Sequence, residues 1–176
     1  MLLRRVGRGD SDALATLYRR HAEGLFRFLL RLAGDRGLAE EILQDTLLAV
    51  WRGAGGFEGR SQVRTWLYGI ARRQAHNRLR ASRPVESGLD EVTELAEARP
   101  GPEELALAGL ERDRVLAAVD RLSLVQREVV VLMVVAQLSH AEIAAVVGIP
   151  VGTVKSRLHH ARAALTHALA VEEPRR

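Results

Sequence analysis

The chain has 176 residues, 47% of them apolar but only 4% aromatic, with a formal net charge of +4. That length suits one ordinary domain or two small ones, with cores built mainly of Leu, Val, Ala and Ile. The absence of cysteine excludes disulfides, thiol catalysis, cysteine-ligated zinc and thiol redox sensing by the chain itself. No apolar run approaches the roughly 18 residues of a membrane span, and the basic start MLLRRVGRGDSD has no long apolar segment behind it. Neither a signal peptide nor membrane insertion is therefore expected, and the expected location is the cytoplasm. Residues 1–81 carry a net charge of +7, residues 82–113 of −6 and residues 114–176 of +3. Two basic ends around an acidic middle suggest two polyanion-binding modules on a tether that avoids nucleic acid.

The first predicted helix runs from Asp10 to Leu32, with Asp10 or Ser11 as its cap. Leu14, Leu17, Tyr18, His21, Leu25, Phe28, Leu29 and Leu32 recur at three- and four-residue steps on one side. His21 on that stripe reads as a partly buried packing residue, since no second histidine accompanies it at metal spacing. Gly34 closes the helix. The second helix spans about Gly37 to Arg52, with Leu38, Ile42, Leu43, Thr46, Leu47 and Val50 inward. Glu40, Glu41, Gln44, Asp45 and Leu48 fall on another side, with Trp51 at the end. That face fits a protein-docking surface, or a solvated face with Trp51 in the core.

GAGGFEG (Gly53 to Gly59) is expected to be irregular, leaving Phe57 beside Glu58 and Arg60 at a loop tip. Ser61 then caps a third helix to about Leu79, with Val63, Trp66, Leu67, Ile70 and Ala71 as its core side and Trp66 the aromatic with the best claim to burial. Arg64, Arg72, Arg73, His76, Asn77 and Arg80 form a long basic and amide-bearing surface, on which Arg72, His76 and Arg80 are neighbours. Basic groups next to exposed rings are what single-stranded nucleic acid binding requires: the charges hold phosphates and the rings stack on bases. All seven aromatic residues lie before residue 69.

Residues 82–101 are rich in Pro, Gly, Ser and acidic groups and read as a flexible linker. A helix from Pro102 to about Leu122 follows. Ser123 with Gln126 reads as a capping box opening a helix that is apolar nearly all round, and so buried or partly covered by another protein. Ser139 with Glu142 is a second such box, opening a helix with Ile143, Ala144 and Val147 inward. Gly148 supplies a left-handed stop, and Pro150 ends one helix while suiting the start of the next. In that last helix Val154, Leu158, Ala161 and Leu165 lie on one side. Lys155, Ser156, Arg157, His159 and His160 lie on the other. The arrangement is a helix-turn-helix whose second helix suits a DNA major groove; an ordinary helical hairpin with a solvated face would share the pattern. The expected fold is all-α: two small helical domains, residues 1–81 and 102–176, joined by a flexible acidic linker.

The order of these segments resembles the extracytoplasmic-function (ECF) sigma factors, the smallest members of the main bacterial sigma family, over nearly the whole chain. AEEILQDTLLAVWR (Ala39 to Arg52) is similar to the helix that docks on the β′ clamp of RNA polymerase. FEGRSQVRTWLYGIARRQAHNRLR (Phe57 to Arg80) is similar to the segment that reads and melts the −10 element. LSLVQREVVVL, then LSHAEIAAVVGIPVGTVKSRLHHAR, resemble the −35-reading region. The resemblance implies an initiation factor, not an enzyme, acting with core polymerase (β and β′ subunits) and promoter DNA, without a cofactor or metal, and held by an anti-sigma partner. It implies −35 contacts by Thr153, Lys155, Ser156, Arg157, His159, His160 and Arg162, with the N–H groups of Gly152 and Thr153 on phosphates. It implies −10 contacts by Phe57, Arg60, Ser61, Arg64, Arg72, Arg73, His76, Asn77 and Arg80. Polymerase would be met by Glu41, Leu43, Gln44, Asp45, Leu48 and Trp51. Three departures mark this chain: Arg73 where the family usually has asparagine, VVAQ where an acidic residue and a glycine are commoner before Ser139, and the His159–His160 pair. A free-standing helix-turn-helix regulator would explain residues 102–176 equally well, but not Phe57 to Arg80.

Overall fold

The computed structural model describes residues 2–81 and 106–171, and among them there are helices and no strands. The expected linker, residues 82–101, lies outside the described residues. Helix α2 (Ser11–Ala33) starts where Asp10 accepts from the Ala13 N–H at 2.9 Å, and it ends at Gly34, whose φ of 71° lets its N–H reach the Leu30 carbonyl. Asp35 immediately caps α3 (Arg36–Gly53) by accepting from the Leu38 N–H at 2.7 Å. With α4 (Val63–Ala81), these helices form a bundle around Leu25, Phe28, Leu29, Ile42, Val50, Leu67 and Ala71. Phe28 meets Tyr68 edge-on, ring centres 5.4 Å apart.

Several aromatic residues sit differently from their expected places. Tyr68 is buried, and burial pushes its phenol up to about 12. Trp66 is only half-buried, and Tyr18, placed by periodicity on the inner stripe, is exposed. A second difference is α1 (Leu2–Val6), which the sequence reading leaves unassigned. Its Leu3 and Val6 are buried, and it packs on α2 and on the glycine segment. That segment is partly regular: Gly53 ends α3, and Ala54–Gly56 form a 3-10 turn with Ala54 buried. A Cβ on Gly7 would stand 2.8 Å from the backbone of Gly55, so Gly7 must be glycine for the two backbones to touch, whereas a Cβ on Gly55 would meet only the Gly7 carbonyl at an ordinary 3.7 Å.

The second group comprises α5 (Ala106–Asp120), α6 (Leu124–Val134), α7 (His140–Val147) and α8 (Val151–Val171). Its core is Val119, Val129, Leu132, Ile143, Val147, Val154 and Ala161. Helix α6 is half-covered: Val129, Val131 and Leu132 are buried, while Val125, Met133 and Val134 face out. Ser123 makes no side-chain cap, contrary to the expected capping box; its carbonyl instead accepts from Gln126 and Arg127. The turn is tied by the Arg127 guanidinium, which donates to the carbonyls of Val119, Asp120 and Leu122 and, across the molecule, of Arg31. The Val119 carbonyl also accepts from the Leu122 N–H, whereas those of Asp120 and Leu122 are of the kind that a helix C-terminus leaves without partners. The Ser139–Glu142 capping box is present in full, and Gly148 has φ 75°. Gln137 holds φ 50° before it, the single non-glycine residue with positive φ among those described.

The two groups do not stand apart. α4 packs on α7 and α2 on α6, so their buried side chains run into one another.

Two substitutions test this architecture by thermal or urea unfolding. Gly7→Ala should cost about 1–3 kcal/mol, since the methyl group meets backbone that cannot swing away. Arg127→Met should cost roughly 2–3 kcal/mol, because it strips charge-assisted donors from several carbonyls at once.

Candidate nucleic-acid interface

Three surfaces carry the residues singled out in the sequence. The first is α8. Val154 and Ala161 are buried and fix its rotation, leaving Lys155, Ser156, His159, His160 and Arg162 exposed and Thr153 and Arg157 half-exposed. The His159 and His160 rings meet edge-on at 5.6 Å. One expectation is corrected here: the Thr153 N–H is used by the Pro150 carbonyl at 3.0 Å and is not free for a phosphate.

The second surface is α4 with the loop before it. Arg60, Ser61, Arg73, Asn77 and Arg80 are exposed, and Arg60 pairs with Glu58 at 2.9 Å. Phe57 is not a free loop tip; it leans on Trp66, centres 5.3 Å apart, and forms one wall of an open cleft of about 810 Å³. Leu3 and Arg5 of α1, Arg20 and His21 of α2, and Glu58, Gly59 and Ser61 of the loop complete that cleft. Because α1 was not foreseen, neither was the far wall.

Arg64, Arg72 and His76 depart most from expectation, because they point into the second group of helices rather than outward. Arg72 Nε donates to Glu128 Oε1 at 2.7 Å, and the His76 Nε2 lies 2.9 Å from the same oxygen. Arg64 donates to the Gln137 carbonyl at 3.2 Å, and Thr65 Oγ1 donates to Glu142 Oε1 at 3.0 Å. Glu128 is 1% exposed. Burial pushes its carboxyl up, but the hydrogen bond from His76 and the charge and hydrogen bond of Arg72 outweigh it and hold the group below the usual range.

The third surface is the outer side of α3. Glu41, Gln44, Leu48 and Trp51 are exposed and Asp45 is half-exposed, with Leu48 at 52%. Leu43 is buried and belongs to the core, so the sequence-based assignment of Leu43 to a docking surface is corrected. Arg78 of α4 pairs with Asp45 at 2.7 Å and Glu41 at 3.5 Å, fixing two members of this face. It was missed as one more arginine in a basic run, and a run gives no signal of which helix face packs on a neighbour.

Two basic surfaces on separate helices, one on the N-terminal half of the second helix of a helix-turn-helix and one beside aromatic rings, define a helical two-module nucleic-acid-binding protein. Comparison with known proteins makes this specific. The family Sigma-70 region 2 matches residues 17–84, and Sigma-70, region 4 matches residues 112–165. The chain is 31% identical over 172 residues to the RNA polymerase sigma factor NccH of Alcaligenes xylosoxydans xylosoxydans, spanning 96% of this chain and 92% of that one. It is 30% identical over 177 residues to the ECF RNA polymerase sigma factor SigK of Mycobacterium ulcerans, spanning 96% and 91%. Among solved structures it is similar to CnrH in complex with the cytosolic domain of CnrY (TM-score 0.73, 26% identity, 98% and 97% covered). It is also similar to the sigma factor RpoE in complex with the anti-sigma factor NepR from Bartonella quintana (TM-score 0.68, 26% identity, 90% and 98% covered). The chain belongs to the sigma-70 family and is an alternative sigma factor of the ECF group, a transcription initiation factor and not an enzyme. Among the described residues no helix is long and apolar enough to cross a membrane.

The titrating groups set a pH dependence. Burial, then the charges of Arg20 and Arg64, push His21 down, so the folded state disfavours its protonation. Its contribution is complete above the ordinary histidine value of about 6.5 and is lost as pH falls below it. Glu128 is also pushed down, so its contribution is present above the ordinary glutamate value of about 4.3 and is lost as pH falls further. Thermal melts should therefore show stability falling in two steps on acidification. His21→Asn should remove the upper step alone.

Proposed function

We propose that this sigma factor directs core RNA polymerase to promoters through contacts divided among its three surfaces. Residues 1–81 form the polymerase-binding and −10 module, and residues 102–176 the −35 module. Lys155, Ser156, Arg157, His159 and His160 read base edges of the −35 element in the major groove, with Thr153 and Arg162 at its margin. Arginine and lysine pair best with guanine, and each good bidentate contact discriminates by about 1–3 kcal/mol. The observation that carries the reading is that this set lies exposed or half-exposed on one helix whose rotation is fixed by Val154 and Ala161.

At the −10 element, Arg60, Ser61, Arg73, Asn77 and Arg80 hold the non-template strand, joined by Arg64, Arg72 and His76 once these are released. The cleft behind Phe57 takes a base turned out of the stack. Opening DNA costs on the order of 1.4 kcal/mol per stacking step, and turning out a base costs a few kcal/mol more. A single loop and a few arginines do not cover that sum, so polymerase is required, docked on Glu41, Gln44, Asp45, Leu48 and Trp51. The site of action is then the cytoplasm, where polymerase works. Because CnrH and RpoE are each found in complex with a partner, and NepR is an anti-sigma factor, a protein inhibitor of the same kind is proposed for this chain.

Run-off transcription from a genomic promoter library with core polymerase, with and without the chain, tests the function. Stimulation of a promoter subset is expected, and the chain alone should melt no promoter. On a responsive promoter Arg157→Ala should lower output by about 5- to 150-fold, the equivalent of one bidentate base contact. Leu48→Asp should reduce co-elution with core polymerase while leaving the melting temperature unchanged. Equal output from every promoter, with and without the chain, would overturn the reading.

A further inference from the structure

The cleft walled by α1, α2, the loop and the start of α4 holds polar groups that the fold itself does not use. His21 lies on the stripe that periodicity assigns to packing, yet it is only half-buried and lines this cleft. Its neighbour Arg20 is exposed there, as are Ser61 and Gln62 of the loop. Among the described residues, none of these four side chains makes a hydrogen bond or an ion pair. By contrast, Arg5 is held by Asp10 at 2.7 Å and Glu58 by Arg60 at 2.9 Å. Leu3, Leu17, Val63 and the Phe57 ring supply the apolar part of the lining, and an aromatic ring is a surface on which a base can stack.

The chemistry of this lining is one-sided. A guanidinium donates and never accepts. Burial, then the charges of Arg20 and Arg64, push His21 down, which leaves a neutral ring with one N–H and one bare nitrogen. Glu58 is the one carboxylate in the lining, and Arg60 already holds it. The Ser61 hydroxyl and the Gln62 amide serve either kind of partner. The cleft is therefore rich in donors and short of acceptors. Thymine and guanine carry an oxygen where cytosine and adenine carry an amino group. An amino base would set N–H against N–H and leave donors on both sides without partners, and such unpaired groups are what reject a wrong ligand. We propose that this cleft selects a keto base, thymine or guanine, in the non-template strand, with Arg20 and His21 donating to its exocyclic oxygen while the base lies along Phe57. This deepens the proposed reading of the cleft as the seat of a turned-out base, and it rests on that reading. Part of the promoter specificity then comes from α2, a helix outside both the recognition helix and α4.

The test uses the full chain with core polymerase and a responsive promoter whose non-template −10 strand is randomised, the bound DNA being sequenced. At one position of that strand, thymine and guanine together should exceed adenine and cytosine by about 5- to 150-fold, the discrimination of one good set of base contacts. Arg20→Gln and His21→Leu should each bring that ratio below about twofold at that position, and leave the preferences at other positions and at the −35 element as they were. If His21→Leu unfolds the chain by circular dichroism, Arg20→Gln carries the test, since its side chain is exposed. A strand preference that neither variant alters overturns the inference and leaves the −10 reading standing. An amino-base preference that both variants abolish keeps a base in the cleft and rejects the keto assignment. Weaker binding of every sequence alike, with the preference kept, would mean that Arg20 holds a phosphate and reads no base, and it too overturns the inference. Absence of any preference along the strand, in the parent as in the variants, rejects the −10 reading and the inference together.

Discussion

The junction at Glu128 governs how the whole molecule is arranged. A carboxylate that is 1% exposed must be satisfied where it lies, and the groups that satisfy it come from the other half of the chain. Arg72 and His76 are one helical turn apart on α4, so a single oxygen can receive both. Their placement decides which side of α4 meets α6 and α7, and hence which of its basic residues remain in solvent. The two halves are thus tied by one buried charge and its donors, together with Arg64 to the Gln137 carbonyl, Thr65 to Glu142 and Arg31 to Asp120, within a largely aliphatic contact.

The residues of α4 consequently divide four ways by rotation alone. Leu67, Tyr68, Ala71 and Ala75 close the first bundle. Arg78 turns toward α3 and braces Asp45 and Glu41. Arg73, Asn77 and Arg80 stay in solvent, while Arg64, Arg72 and His76 enter the seam. The division also keeps the proposed polymerase-docking surface and the proposed nucleic-acid surface on adjoining helices.

Local devices were legible wherever they depend on neighbours in sequence. The Ser139–Glu142 box, the Gly34 and Gly148 stops, the Asp10 cap, the boundaries of α2, α3 and α7 and the start of α8 follow from residues within one turn, whereas α8 runs on to Val171, past the Leu165 to which its pattern was followed. The failures also have physical reasons. Ser123 with Gln126 has the spelling of a capping box, but the Ser123 carbonyl serves the turn and Arg127 holds the preceding carbonyls, so no side-chain cap forms. Leu43 and Tyr18 lie near the border of an amphipathic face, where a few tens of degrees of rotation decide burial and periodicity has no such precision. Helix α1 is too short for a periodic signal. It exists because Leu3 and Val6 find a tertiary surface and because Gly7 can lie against Gly55.

By itself the sequence determined an all-α chain, its helix-turn-helix, the separation of two basic halves and membership of a family, because these rest on short-range periodicity, caps and ordered motifs. Only the tertiary structure decided which basic residues are free. A charge pattern records that Arg64, Arg72 and His76 share a helix with Arg73, Asn77 and Arg80. It does not record that Glu128, 56 residues beyond Arg72, is brought to the first set and not to the second. That choice depends on the rotation of α4 and the docking of α6 and α7, which long-range packing alone specifies. The same holds for the cleft behind Phe57, whose walls come from α1, α2 and a glycine loop that meet only in the folded chain.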